Sequence, residues 1–436
     1  MRGDLVQNKK FIYQGILKAL KMGNVPKEGF EELVVGREKE IEMFNKELTY
    51  VKKGGGSTKF IKGDYGSGKT FLTKTVRELA WKQNFVVSFV ELGRGVQFNK
   101  LENIYNKIVD GMRTGDYQDI PAFEYILQDW LNRLEESTRY QEKLNPLDPE
   151  DRKKLTRIID RKIETVLQNV GAYNSSFVNV IRGYYHASKE RRNQVRSAAI
   201  GWLRGEKNIP SRLKKEFNIK GSIDKENVIS FLDAIIQLIA EIDNAGLLVI
   251  IDEAELIANI ARRDFRNDAY ENLRRIVDAT SNQELNHVLF IFTATELFFE
   301  DEERGIPSYQ ALYQRIHSLK RKDYKDLRVP IVSLDGLNKE QLINISYKIR
   351  EIHSKVYDWD ASARLNDYLL KKLINQMTNR FNQEIKTLPR NFLKVLVDEL
   401  DLLEQNSDYD LEKSLDKTIN KIEELGKDEL GDSHVI

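Results

Sequence analysis

The sequence predicts an α/β fold, with a parallel-sheet core interrupted by a large helical insertion and closed by a C-terminal helical lid. Three observations carry that prediction. The runs Phe85 to Leu92, Leu247 to Ile251 and Val288 to Phe292 are almost continuously apolar, as strands buried on both faces must be. Helical periodicity fills the chain around them. Roughly 155 residues separate the first run from the second, whereas a parallel crossover needs only a dozen or more.

In chain order, apolar residues at helical spacing over 5–22 predict a helix that ends at the Gly23, Pro26 and Gly29 cluster. A second helix runs from Glu38 to about Val51, before the glycine-broken loop KKGGGST. Phe60-Ile61 forms a short strand, followed by a glycine-rich turn and a helix over about Thr70 to Gln83. Segment 101–240 reads as helical, with breaks at Gly115, Pro121, Pro146, Pro149, Gly171, Pro210 and Gly221. Helical pattern resumes from Asn338 to about Leu403, and the strongly acidic end, 401–436, is expected to fray. The resulting division is 1–30 as an N-terminal helix, 31–100 with 241–335 as the core, 101–240 as the insertion, 336–405 as the lid and 406–436 as an acidic tail.

The 436 residues carry 69 Lys and Arg against 68 Asp and Glu, a net charge of +1, which excludes a uniformly basic coat protein. With no cysteine, disulfides, thiolate-bound metals and thiol catalysis are excluded. Five scattered histidines, His186, His287, His317, His353 and His434, form no His-x-x-x-His pair, so they read as packing or surface residues. No apolar stretch approaches the roughly 20 residues of a membrane span, and the start lacks an apolar signal core. An intracellular soluble protein is expected.

Gly63-Asp64-Tyr65-Gly66-Ser67-Gly68-Lys69-Thr70 satisfies G-x-x-x-x-G-K-[ST] between a strand and a helix. In that context backbone N–H groups converge on phosphate oxygens at the positive end of a helix. Lys69 is then placed to bridge the β- and γ-phosphates of ATP, and Thr70 to offer its hydroxyl to Mg²⁺. Phosphate binding alone does not give hydrolysis. Asp252 and Glu253, directly after the run Leu247 to Ile251, supply the acidic part: Asp252 for the Mg²⁺ shell, Glu253 to orient or deprotonate the attacking water. Thr293, the first polar residue after Val288 to Phe292, either meets the γ-phosphate or the lytic water or caps the following helix. Arg315 and Arg390 offer guanidinium groups for γ-phosphate charge, with Arg304 competing with Arg315.

This order of motifs resembles that of AAA+ ATPases, in the branch of origin-recognition and Cdc6-type initiators. The likeness runs from Val35-Gly36-Arg37-Glu38, similar to the adenine-side element, to Leu388-Pro389-Arg390, similar to the second sensor on the lid. It implies an AAA+-like core in which the nucleotide contacts Val35, Gly36, the whole phosphate loop and the next residue, Phe71. It also implies that Arg315 acts on a neighbouring subunit's nucleotide and Arg390 on its own, hence a homo-oligomeric ring or filament. GWLRGE (201–206), LLVIIDEAE, YENLR, ELFFEDEERGIPSYQALYQRI and LPRNFLKVLVDEL resemble the BrxD-type ATP-binding proteins of BREX phage-defence systems. That resemblance implies a cytoplasmic ATPase of antiviral defence. Unlike Cdc6-type initiators, in which a winged helix follows the lid, the chain is expected to carry no such module in the acidic segment 406–436.

Segment 151–217 holds 16 Lys and Arg against 6 Asp and Glu, a net of +10, while 401–436 has a net of −7. Arg191, Arg192, Arg196, Arg204, Lys214 and Lys215 are concentrated enough to meet a nucleic-acid backbone, and Tyr184, Tyr185, His186 and Trp202 to stack on unpaired bases. Two other uses of the same residues stay open: solvated faces that pair with the acidic tail, and a protein-docking arm. A second basic run, 320–325, suits a subunit contact. Two functions follow, an oligomeric ATPase acting on or with DNA, or a slow nucleotide-gated switch that recruits a helicase or other effector.

Overall fold

The computed structural model describes residues 2–93, 95–168, 175–219, 223–317, 326–380 and 388–432. Its first half contains helices α1 (Arg2–Lys21) and α2 (Glu38–Lys52), strand β1 (Gly56–Lys62), α3 (Lys69–Lys82), β2 (Val86–Glu91), α4 (Leu101–Gly111) and β3 (Met112–Arg113). There follow α5 (Phe123–Glu142), α6 (Pro149–Val166), α7 (Ser175–Lys189), α8 (Asn193–Leu203), α9 (Ser211–Glu216) and α10 (Val228–Glu241). Next come β4 (Leu247–Asp252), α11 (Arg263–Ser281), β5 (Val288–Ala294), α12 (Glu296–Glu300), α13 (Gln310–Ile316) and β6 (Ile331–Ser333). The chain closes with α14 (Lys339–Tyr357), α15 (Ala361–Arg364), α16 (Asp367–Arg380), α17 (Leu388–Gln405) and α18 (Leu411–Asp432). Among the described residues no helix is long and apolar enough to cross a membrane.

The six strands lie in the order β3-β2-β4-β5-β1-β6. β2 and β4 run parallel with Glu91 opposite Asp252, β4 and β5 run parallel with Leu247 opposite Val288, and the short β3 is paired antiparallel to β2. The predicted strands therefore stand where their apolar runs placed them. Every residue of β5 is buried, as are the first five of β4, so both faces of these strands are covered.

Contacts divide the chain into two units: residues 1–43, 61–76 and 332–436 in the first, 44–60 and 77–331 in the second. In the second unit, helices α4 to α10 pack into the same apolar core as the sheet. The GWLRGE segment explains its own composition there. Trp202 is buried against Phe231 with ring centroids 5.3 Å apart. Around it, the Tyr105 hydroxyl donates to the Leu203 carbonyl (2.6 Å), Asn106 Nδ2 to the Arg204 carbonyl (2.8 Å), and the Glu206 N–H to the Gly201 carbonyl (2.8 Å). The first two bonds tie the end of α8 to α4, and all three satisfy carbonyls that a helix terminus leaves open. The predicted breaks at Gly171 and Gly221 and the run 320–325 lie outside the described residues.

The first unit is built on α1 and the helices from α14 onward, with Ile16, Leu342, Ile349, Leu396 and Leu400 in its core. A capping box starts α14: Asn338 Oδ1 accepts the Gln341 N–H and Gln341 Oε1 accepts the Asn338 N–H, both at 2.9 Å. The acidic end does not fray as expected. Residues 411–432 form α18, whose Leu411, Leu415, Ile419 and Ile422 are buried. Its polar side is tied down as well, the Thr418 hydroxyl reaching the buried Glu399 (3.0 Å) and Lys421 reaching Asp398 (2.8 Å). An apolar stripe at helical spacing outweighs the net charge of the segment.

His353 sits fully buried in this unit. Trp359 Nε1–H can only donate, so His353 Nδ1 accepts (2.9 Å) and Nε2–H donates to Asp401 (3.0 Å), which also receives Lys21 (2.5 Å). Burial lowers the pKa of His353 from its usual value, with Asp401 and Glu404 opposing and Lys21 assisting. The unfolded chain then takes up this proton more readily than the folded one. Stability is full above the unfolded histidine value of about 6.5 and is lost as pH falls below it. Between about pH 7.5 and pH 5.5 the amides of α14 and α17 should lose hydrogen-exchange protection in the wild type, and lose less in His353→Gln. Equal losses would remove His353 as the cause.

Candidate functional site

The phosphate loop lies in the first unit, between the end of β1 and the start of α3. Gly66 and Gly68 take positive φ values of 76° and 95°, conformations that side chains with a Cβ resist. Lys69 Nζ donates to the loop carbonyls of Gly63 (2.6 Å) and Asp64 (3.2 Å) and lies 5.3 Å from the ring centroid of the exposed Tyr65. Its cation is therefore held at the mouth of the loop, where phosphate oxygens would compete with carbonyls. The Ser67 hydroxyl is buried without a hydrogen-bond partner among the described residues, an unmet polar group inside the loop. The Thr70 side chain is exposed at the first turn of α3, and the half-buried Phe71 packs edge-on to Phe30 at 6.1 Å. This is a fold-built anion cradle.

Beside it runs the segment 34–37. Arg37 was not singled out by sequence reasoning, yet it is the buried strut of the loop. Its Nη2 donates to the Ser67 carbonyl (2.9 Å) and to the Asp335 carbonyl (2.5 Å), and Nη1 to the Gly36 carbonyl (3.5 Å). Burial lowers the guanidinium pKa from its ordinary value, against the opposing pull of Glu40, Asp335 and Glu38. Gly36 stands at φ 68°, a conformation that favours glycine, and an added Cβ would lie 2.1 Å from Gln341 Nε2 and displace that side chain. Lys348 of α14 reaches the Val34 carbonyl (3.0 Å), while Val35 packs against the apolar core of the unit. Arg37→Ala leaves the Ser67 carbonyl of the loop, and the flanking Asp335 and Gly36 carbonyls, without this donor. Expected is a loss of about tenfold or more in ATP affinity in a nucleotide titration, and unchanged affinity would deny Arg37 this role.

Arg390, on α17 of the same unit, donates through Nε to the Gly23 carbonyl (2.6 Å) just after α1. Lys74 of α3 holds the nearby Val25 carbonyl (3.0 Å).

The acidic pair lies in the second unit. Asp252 ends β4, and Glu253 follows in the left-handed conformation, φ 59° and ψ 40°. A non-glycine residue held there is strained, and the surroundings show what holds it. The Glu253 N–H points at Asp252 Oδ1 (3.1 Å) and Thr293 Oγ1 (3.4 Å). Thr293 donates its hydroxyl to Asp252 Oδ1 and is 0% exposed. In this structure the hydroxyl lies inside β5 and orients the carboxylate. Asp252 and Glu253 themselves remain partly accessible. Among the described residues no three His, Asp or Glu side chains gather to cage a metal.

Arg315 is not a free guanidinium in the single chain. It pairs with Asp278 and donates to the Ala311 carbonyl, while Arg274 holds the other oxygen of Asp278 at 2.6 Å. Arg304 is exposed and its guanidinium makes one long bond, 3.4 Å, to the Ile260 carbonyl.

The predicted nucleic-acid residues divide. Arg192 pairs with Glu190 and Glu216, Arg196 with Glu124, and Arg204 with Asp110. No ion-pair partner holds Arg191, Lys214 or Lys215 among the described residues. The aromatic half of the expectation is overturned: Tyr184, Tyr185 and Trp202 are 1–2% exposed, and His186 is bonded to Asp160 (3.0 Å). These rings are core, because helical packing of the segment needs them inside.

The family described as BREX system ATP-binding protein BrxC/D matches residues 9–419 of the chain. No curated protein matches it. Among solved structures it is similar to the ORC2 protein of Aeropyrum pernix in its ADPNP-ADP complexes, with 14% identity and a TM-score of 0.34 over 84% of this chain and 68% of that one. For the ADP form of the same protein the identity is 13% and the TM-score 0.36, over 88% of this chain and 72% of that one.

Proposed function

Because the chain belongs to the BREX system ATP-binding protein BrxC/D family, we propose that it is a cytoplasmic ATPase of antiviral defence that hydrolyses ATP to ADP and phosphate, works as an assembly of copies and acts on or with DNA. The observation that carries the reading is the strained Glu253, held by its backbone beside an oriented Asp252 with its side chain partly accessible. A protein that only binds nucleotide needs no such device.

The phosphate loop grips the polyphosphate through its N–H groups, and Lys69 exchanges the Gly63 and Asp64 carbonyls for phosphate oxygens. Thr70 and Asp252 would hold Mg²⁺, which offsets phosphate charge when bound. Glu253 takes a proton from water as the water oxygen bonds to the γ-phosphorus. The bond from that phosphorus to the β–γ bridging oxygen breaks, and ADP leaves. Thr293 keeps Asp252 aimed and is a positioning residue. Arg390 serves the chain's own nucleotide and Arg315 that of a neighbour, once each exchanges its present partner for phosphate.

A slow nucleotide-gated switch that recruits a helicase or other effector draws support from one observation, the Arg315 pair with Asp278, which withholds a finger in the single chain. Phosphate release and solution mass, measured with ATP and Mg²⁺ with and without duplex DNA, separate the two. ATP-dependent release that rises with assembly supports the ATPase. Bound ATP with no release supports the switch.

A further inference from the structure

The cations of the helical segment fall into two classes. Lys189, Arg196, Arg204 and Lys207 are each within ion-pair distance of a carboxylate of their own unit, Glu135, Glu124, Asp110 and Glu102. Arg191, Arg212, Lys214 and Lys215 have no side-chain partner among the described residues.

Those four belong to one place. Arg192, in the turn between α7 and α8, pairs with Glu216 at the end of α9, which brings their sequence neighbours Arg191 and Lys215 to the same junction. The next residue, Phe217, is buried against α7: a Cβ added at Gly183 would lie 2.3 Å from its ring. Arg191, Arg212 and Lys215 are exposed and Lys214 half-buried. Arg191 also holds a left-handed backbone, φ 56°, where glycine or asparagine would be less strained. A long cation kept at that tip, unpaired, suits a ligand outside the chain.

We propose that Arg191, Arg212, Lys214 and Lys215 form a docking surface for the phosphate backbone of duplex DNA, read without regard to sequence. The choice of duplex follows from the buried rings. Single strands are bound by stacking bases on exposed aromatics, and Tyr184, Tyr185 and Trp202 are core residues. Four free cations on a pinned turn and helix offer only charge, which is what positions a protein on a duplex backbone. This surface rests on the reading that the ATPase acts with DNA.

The test uses the full chain and a fluorescein-labelled duplex of arbitrary sequence, titrated by anisotropy over a salt series. In a variant carrying Arg191→Gln, Arg212→Gln, Lys214→Gln and Lys215→Gln, the slope of log affinity against log salt should shrink by about three to four, at roughly 0.9 for each phosphate that is no longer neutralised. Exchanging the same four between Arg and Lys should restore it. Arg191→Gly alone should keep or raise the melting temperature, since the backbone strain is relieved, while the slope falls by about one. An unchanged slope in the fourfold variant overturns the proposal, as does a single strand of equal length binding tighter than the duplex, or poly-glutamate displacing the duplex at equal charge. ATP turnover without DNA should be the same in the variant and the wild type, so absent turnover in both would count against the ATPase and not against this surface.

Discussion

Glu253→Gln should lower ATP turnover by at least about a hundredfold while ATP stays bound. The reason is local. The amide keeps the size and reach of the carboxylate but lacks its basicity, so water reaches the γ-phosphate without a proton acceptor. The backbone that positions residue 253 does not change, because its N–H is directed at Asp252 and Thr293 independently of the side chain. The variant should therefore trap the ATP-bound state and accumulate any larger assembly. Steady-state phosphate release, quantitation of bound nucleotide and light scattering together check this. Undiminished release would show that Glu253 does not activate water.

Lys69→Ala should weaken ATP binding by about a hundredfold or more. Charge-assisted bonds to two phosphates are each worth about 1.5–3 kcal/mol, and alanine removes both. Folding should be spared, since the loop carbonyls that Lys69 occupies belong to residues only five and six positions away, at a loop that Tyr65 leaves partly open to water. Calorimetric titration with ATP is the direct measurement. Wild-type affinity in this variant would remove the phosphate loop from the site.

The parts legible in the sequence are those whose cause is local. The loop Gly63 to Thr70 combines glycine freedom, a strand before it and a helix after it within about fifteen residues. The apolar runs of β4 and β5 announce burial on both faces, and Asp252 marks where the first of them ends. Arg37 escaped because its two other carbonyl partners are 30 and 298 positions away, and carbonyls carry no residue signature. The Thr293 bond to Asp252 is not legible in the sequence, since position in a strand says nothing of which way a hydroxyl turns. In the acidic end, net charge masks a helical stripe of Leu411, Leu415, Ile419 and Ile422, all of which are buried.

By itself, then, the sequence determined the strands, the phosphate loop, the acidic pair and the concentration of cations in the helical segment, because each depends on residue type within a short window. Only the tertiary structure decided which of these groups are free to act. It buried Thr293 onto Asp252, paired Arg315 with Asp278, placed the aromatic rings in the core and left Arg191, Arg212, Lys214 and Lys215 unpaired among the described residues. Whether a charge or hydroxyl meets a ligand depends on what the fold has already put beside it, and those partners come from distant parts of the chain.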